Sequence, residues 1–294
     1  MRTRWAGCGP ALVTPFTTSG ELDEACVTRL ARRQVDGGVH FLVPCGTTGE
    51  SPTLTHAEKV RVVELVVQAA DGRVPVLAGA GGYDTRAAAA LAGDLARAGA
   101  DGLLSVTPYY NKPTPEGLYR HYAALAAATE LPIVVYNVPS RTGCNVTPPT
   151  LQRLAEIPSV VGVKEASGDL GQMCEICRAM PDDFSVLSGD DAFTLALMAL
   201  GGAGVVSVAA NEAPAEMASL VDLAAAGDFA AARRVHERLL PLMQVNFVES
   251  NPIPVKAAMA ALGLLEETYR LPLAPPSDAS RRRIVETLQA LDLR

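Results

Sequence analysis

The residue that first invites a chemical reading is Lys164, which closes the apolar run Val160-Val161-Gly162-Val163-Lys164. A lysine in such a run is costly unless it is paired or used. Side chains alternate along an extended segment, so Gly162, Lys164 and Ala166 share one face, and the small neighbours leave room for a covalently held substrate. An apolar setting favours the neutral amine that attacks a carbonyl. The competing structural reading is a buried stem whose head snorkels to solvent or pairs with Glu165. Tyr136 ends a second apolar run, either as a core tyrosine with a satisfied hydroxyl or as the proton relay that imine chemistry requires. In Gly46-Thr47-Thr48-Gly49-Glu50, the threonines are turn formers, or their hydroxyl and N–H groups hold a carboxylate. Arg141, just beyond Tyr136-Asn137, is a surface residue or a bidentate clamp for a second carboxylate. Together these describe one site: an amine nucleophile, a hydroxyl relay and two carboxylate-binding points.

Such residues must be brought together by the elements that carry them. Short apolar strands are expected at 11–14, 40–45, 74–79, 102–106, 132–136, 160–164, 184–188 and 204–208, with stretches of helical period between them, such as 58–70, 85–98 and 116–129. Continuous apolar strands are buried on both faces, as parallel strands are. Eight βα units favour a closed (β/α)8 TIM barrel, with active-site residues at the C-terminal ends of the strands. An open doubly wound sheet is the alternative, but no GxGxxG follows the first strand, and Gly79-Ala80-Gly81-Gly82 lacks the Lys-Ser/Thr of a phosphate loop. The barrel is expected over 1–226, and a C-terminal helical region over 227–294.

The 294 residues are nearly half apolar, which suits one large core. A formal charge of −7 disfavours a non-specific nucleic-acid binder, and Arg281-Arg282-Arg283 reads as a solvated helix face. The six cysteines are scattered, which fits reduced thiols in a cytoplasmic protein; Cys174 and Cys177 form a CxxC, but inside a helical pattern and without a second pair. Met1-Arg2-Thr3-Arg4 before Trp5-Ala6-Gly7-Cys8 has a faint likeness to a secretory start, yet no apolar segment separates the charges from the cysteine. The uncharged stretch 192–210 is nearly long enough to span a bilayer, but Gly201-Gly202 and Gly204 break it, so a buried helix running into a buried strand is expected.

Several motifs, in order along the whole chain, resemble the dihydrodipicolinate synthase family of class I pyruvate-dependent aldolases. They are Gly46-Thr47-Thr48-Gly49-Glu50-Ser51, Val106-Thr107-Pro108-Tyr109-Tyr110-Asn111, Tyr136-Asn137-Val138-Pro139-Ser140-Arg141-Thr142-Gly143, Gly162-Val163-Lys164-Glu165-Ala166 and Asn251-Pro252-Ile253-Pro254-Val255-Lys256. The resemblance implies an imine between Lys164 and pyruvate, with Tyr136, Thr47 and Tyr110 as proton relay. Tyr110 would reach in from a neighbouring subunit of a tight dimer within a homotetramer. Thr48 would hold the pyruvate carboxylate with Thr47, Arg141 would receive the carboxylate of aspartate semialdehyde, and the backbones of Gly189 and Val206 would line the site. It implies no metal and no organic cofactor, because the imine is itself the electron sink, and no nucleic-acid or membrane partner.

Sialic-acid lyases and other keto-acid aldolases share the lysine and the first tyrosine, and the Tyr109-Tyr110 pair with Ser140-Arg141-Thr142-Gly143 argues for the synthase branch. A metal-dependent aldolase would need a His/Asp/Glu cluster that the strand ends do not offer, and a silent sensor barrel would lack the lysine or the tyrosine. Many relatives are inhibited by lysine at a dimer interface. Ser51, His56 and Tyr109 fit that pattern, while Lys59, Tyr83 and Ala87 depart from it; Tyr83 and Ala87 replace an amide and a carboxylate. Weak or absent lysine inhibition is therefore expected.

Overall fold

Seven parallel strands form one curved sheet: β1 (Gly7–Pro10), β2 (Leu77–Gly79), β3 (Gly102–Val106), β4 (Ile133–Asn137), β5 (Val160–Glu165), β6 (Ser185–Ser188) and β7 (Gly204–Ser207), in the order β1-β7-β6-β5-β4-β3-β2. The computed structural model describes residues 5–293. The secretory start weighed above falls on residues 1–4 and so lies largely outside them.

The segment 40–44 closes the sheet between its two edge strands. His40 N donates to Cys8 O (2.8 Å) and Val43 N to Pro10 O (3.1 Å) on one side; on the other, Leu77 N donates to Leu42 O (2.8 Å) and Gly79 N to Pro44 O (2.9 Å). This is the eighth strand of a (β/α)8 barrel. It is present as parallel bridges at Leu42 and Val43 rather than as the regular strand expected over 40–45. Pro44 has no N–H for the ladder, and Cys45 turns away at φ 58°. The first strand also sits earlier than the sequence suggests, at Gly7–Pro10, with Ala11 only bridging to Val43.

The helices are α1 (Glu24–Asp36), α2 (His56–Ala70), α3 (Thr85–Arg97), α4 (Pro115–Ala128), α5 (Pro139–Thr142), α6 (Pro148–Ala155), α7 (Leu170–Ala179), α8 (Thr194–Ala199), α9 (Pro214–Ala225), α10 (Phe229–Val245), α11 (Ile253–Ala261) and α12 (Asp278–Ala290). Their starts are chemically marked: Thr55 and Glu58 form a reciprocal cap on α2, and the Asp23 side chain accepts from Cys26 N at the start of α1. Their apolar stripes pack on the outside of the sheet in one large cluster that includes Val63, Leu95, Leu125, Leu151 and Val163. A smaller cluster fills the barrel interior with Phe41, Leu77, Leu104, Val134, Tyr136, Leu187 and Val206. Trp5 plugs the N-terminal end of that interior. Its ring meets Phe41 edge-on with centroids 5.5 Å apart, and its backbone N–H donates to Ser185 Oγ (2.8 Å). A Cβ on Gly102 would lie 2.5 Å from Trp5 Cζ2, so glycine is required there.

The stretch 192–210 is, as expected, a short buried helix (α8) leading into β7. No described helix is long and apolar enough to cross a membrane. After α9, helices α10 to α12 form the C-terminal helical appendage, and one apolar cluster joins Cys8, Val205 and Met217 to Leu239, Ala258 and Ile284. Arg281 on α12 does more than face solvent: it grips both carboxylate oxygens of Glu267 at 2.6 and 2.7 Å. Cys174 and Cys177 fall on α7, and the six cysteines are all unpaired thiols.

Candidate active site

On β5 the alternation of side chains separates two environments. Val163 joins the outer cluster, and Glu165 also faces outward. Its carboxylate accepts from Asn137 Nδ2 (2.9 Å) and from Ser167 N (2.8 Å), and Gln172 packs against it. Glu165 is thus occupied on the side away from Lys164, which removes the pairing that a purely structural lysine would have used. Lys164 points inward, only 5% exposed. It stands in register with Tyr136 on β4, its Nζ 4.2 Å from the centre of the tyrosine ring. No ion pair or hydrogen bond engages that Nζ among the described residues. Beside it, a Cβ on Gly189 would come 3.0 Å from Lys164 Cε and 2.6 Å from Ala166 Cβ, so the loop after β6 approaches the lysine as closely as a bare backbone allows.

A cavity of about 220 Å3 opens at the C-terminal ends of the strands. Thr47, Tyr136 and Arg141 line it together, against an apolar wall of Leu104, Val106 and Val138. Thr47 and Thr48 ride on a tight turn bracketed by two left-handed residues, Cys45 (φ 58°) and Glu50 (φ 53°). Within it Gly49 N donates to Gly46 O and Glu50 N to Thr47 O, both at 3.1 Å, which leaves the N–H groups of Thr47 and Thr48 outside the turn's own bonds. The turn lies so close to β2 that a Cβ on Gly79 would meet Cys45 O at 2.1 Å.

The C-terminal appendage fastens this turn. Lys256 and Glu50, both side chains fully buried, form an ion pair of 2.6 Å. Lys256 also donates to Thr14 O (3.1 Å) and Thr268 O (2.6 Å). Burial pushes the Lys256 ammonium below its ordinary pKa, opposed by the neighbouring Glu50 carboxylate. Five residues earlier, Asn251 donates from Nδ2 to Thr48 Oγ1 (2.9 Å), and its backbone carbonyl accepts from Arg141 Nη2 (3.2 Å).

At its other end the cavity is lined by Ser51, Lys59 and Tyr109. Desolvation lowers the Lys59 pKa and raises those of Tyr109 and Cys45, the last to about 12, so the Cys45 thiol is neutral. Tyr83, one of the departures from the lysine-sensitive pattern, packs edge-on against Tyr109 with centroids 5.3 Å apart.

Not every expected residue meets at this cavity within one chain. Val206 is fully buried in the inner cluster and is not part of the cavity wall. Tyr110 is 92% exposed with φ 70°, projecting from the loop after β3 rather than into the cavity. The contributions of Asn251 and of the Glu50–Lys256 pair are additions. All three residues fall in motifs that carry the family resemblance, and Lys256 also stands out as a lone lysine in Ile253-Pro254-Val255-Lys256-Ala257-Ala258-Met259, otherwise an apolar segment, but neither signal says that they meet.

With this geometry in place, comparison with known proteins is specific. Residues 4–291 match the sequence model of the Dihydrodipicolinate synthetase family. The chain is 50% identical over 279 residues to 4-hydroxy-tetrahydrodipicolinate synthase of Koribacter versatilis, covering 95% of this chain and 93% of the relative. It is 51% identical over 279 residues to the enzyme of the same name from Syntrophus aciditrophicus, with 95% and 96% covered. Among solved structures, dihydrodipicolinate synthase of Thermotoga maritima superposes with a TM-score of 0.97 at 44% identity, covering 99% of this chain and all of that one. The lysine-bound enzyme of Cyanidioschyzon merolae superposes with a TM-score of 0.95 at 40% identity, covering 98% and 99%. The chain belongs to the dihydrodipicolinate synthetase family.

Proposed function

We propose that this enzyme condenses pyruvate with L-aspartate 4-semialdehyde through an imine on Lys164, giving 4-hydroxy-tetrahydrodipicolinate for diaminopimelate and lysine biosynthesis. The observation that carries the reading is a buried, unpaired lysine held against the ring of Tyr136, which itself lines a cavity together with Thr47 and Arg141. The Lys164 amine adds to the ketone carbon of pyruvate, and the carbinolamine loses water to give the imine. Tyr136, with Thr47, passes the protons that this addition and loss require. Thr48 and Thr47 hold the pyruvate carboxylate, and Gly189 keeps the wall beside Lys164 free of side chain. Loss of a methyl proton gives the enamine, whose carbon attacks the aldehyde of the second substrate while Arg141 grips its carboxylate. The amino group of that substrate then displaces Lys164 as the ring closes, restoring the free amine.

Tyr110 completes the relay from a neighbouring copy; its 92% exposure and left-handed backbone suit a residue that projects outward. On this reading the enzyme works as a homotetramer. The unpaired thiols support a cytoplasmic location. Borohydride reduction in the presence of pyruvate tests the reading: peptide mass spectrometry is expected to find the reduced pyruvyl adduct on Lys164. A folded protein that yields no adduct would refute it.

A further inference from the structure

We infer that Asn251 is a positioning residue for carboxylate recognition, fixing the Thr48 hydroxyl as a hydrogen-bond donor and holding Arg141 through its backbone. The inference rests on the proposed pyruvate chemistry and adds to it a residue from the C-terminal appendage. A threonine hydroxyl has one proton and two lone pairs. Asn251 Nδ2, 2.9 Å away, occupies one of those lone pairs as donor. The Thr48 proton then has no use toward Asn251 and is left for another acceptor. Thr48 is 2% exposed, and among the described residues its hydroxyl has the bond from Asn251 alone, which leaves its proton for an acceptor that the substrate brings. A carboxylate fits, because it accepts hydrogen bonds and donates none.

The amide orientation sets the direction of this bond. Turned the other way, Oδ1 would take the Thr48 proton, and an arriving carboxylate would meet only lone pairs. The orientation adopted leaves Asn251 Oδ1 buried without a partner, a cost that the residue's own surroundings do not relieve. Its backbone oxygen meanwhile accepts from Arg141 Nη2 at 3.2 Å. One residue therefore connects the two carboxylate-binding points, and the Lys256–Glu50 pair anchors the same segment to the far end of the threonine turn.

The test measures borohydride trapping on Lys164 against ketone concentration, with pyruvate and with acetone, which lacks the carboxylate. In Asn251→Ala the pyruvate concentration for half-maximal trapping is expected to rise about tenfold, as for a hydrogen bond to a charged group. Acetone trapping should not move. Asn251→Asp, which accepts the Thr48 proton and adds a negative charge, should raise the pyruvate value by about a hundredfold. Thr48→Val keeps the side-chain shape and tests the same link without touching Asn251; it should match Asn251→Ala, and the double variant should lose little more than either. Equal loss with pyruvate and acetone would mean a merely structural role and overturn the inference, as would an Asn251→Asp variant that traps pyruvate normally. Absence of any pyruvate adduct in the unaltered enzyme would overturn the Schiff-base reading and this inference together.

Discussion

Replacing Lys256 by methionine tests how firmly the C-terminal appendage holds the threonine turn. The two side chains are similar in length, so the change removes charge and hydrogen bonds rather than volume. What is lost is the 2.6 Å contact to Glu50 and the donations to Thr14 O and Thr268 O. What remains is a carboxylate with no exposure to solvent, accepting only a long 3.3 Å bond from Arg270 N. Breaking a buried pair by removing one partner costs about 3–5 kcal/mol, because the surviving charge is left uncompensated. At about 2–4 °C per kcal/mol for a large domain, the melting temperature should fall by about 10 °C. Glu50→Gln combined with Lys256→Met removes both charges and should recover most of that loss. Scanning calorimetry at several scan rates measures the shift while checking for irreversibility. The reasoning fails if the single variant melts within about 2 °C of the unaltered protein, or if the double variant melts no higher than the single one.

The remaining expectations concern the site and its surroundings. Lys164→Ala should keep the fold, with unchanged circular dichroism, while turnover falls to background and borohydride leaves no adduct. Gly189→Ala places a methyl 2.6 Å from Ala166 Cβ and 3.0 Å from Lys164 Cε; it should lower kcat by about a hundredfold, as a displacement of about 1 Å at a reacting group does. Lysine at sub-millimolar concentration should leave the steady-state rate unchanged; strong inhibition would show that Lys59, Tyr83 and Ala87 do not decide the matter. Glu212 is buried among Asp191, Asn246 and Arg33, and burial, reinforced by Asp191, holds its pKa well above the ordinary value. A raised folded pKa gives stability that is fully present below the unfolded value of about 4.3 and is lost as pH rises toward the folded one. Glu212→Gln should therefore gain stability relative to the unaltered protein as pH rises above the unfolded value of about 4.3, read as a diverging pair of melting curves.

Much of this architecture was legible in the sequence because parallel strands buried on both faces write themselves as unbroken apolar runs. Val160 to Lys164 and the run ending at Tyr136 were read nearly to the residue, and with them the inward lysine and its tyrosine neighbour. The segment at 40–44 was placed correctly, but its irregularity depends on Pro44 and the left-handed Cys45 acting against two different neighbours. The links from Asn251 to Thr48 and from Lys256 to Glu50 join positions more than 200 residues apart. No local period or turn rule encodes such contacts; they arise only when the appendage docks on the barrel mouth. Tyr110 is the converse case, a motif residue that its own chain leaves in solvent.

The Trp5 plug has a kinetic consequence. With the barrel's N-terminal end stoppered by that indole, every molecule taking part in the reaction shares one doorway. The water expelled on imine formation must leave past Tyr136 and Arg141 before the aldehyde arrives by the same route. Traffic through a single opening enforces an order: the ketone goes in first and is tethered at the bottom, and the second substrate then sits above it and caps the shaft. With the ketone tethered as an imine and its water released before the aldehyde binds, such a queue predicts ping-pong kinetics, with parallel lines in double-reciprocal plots.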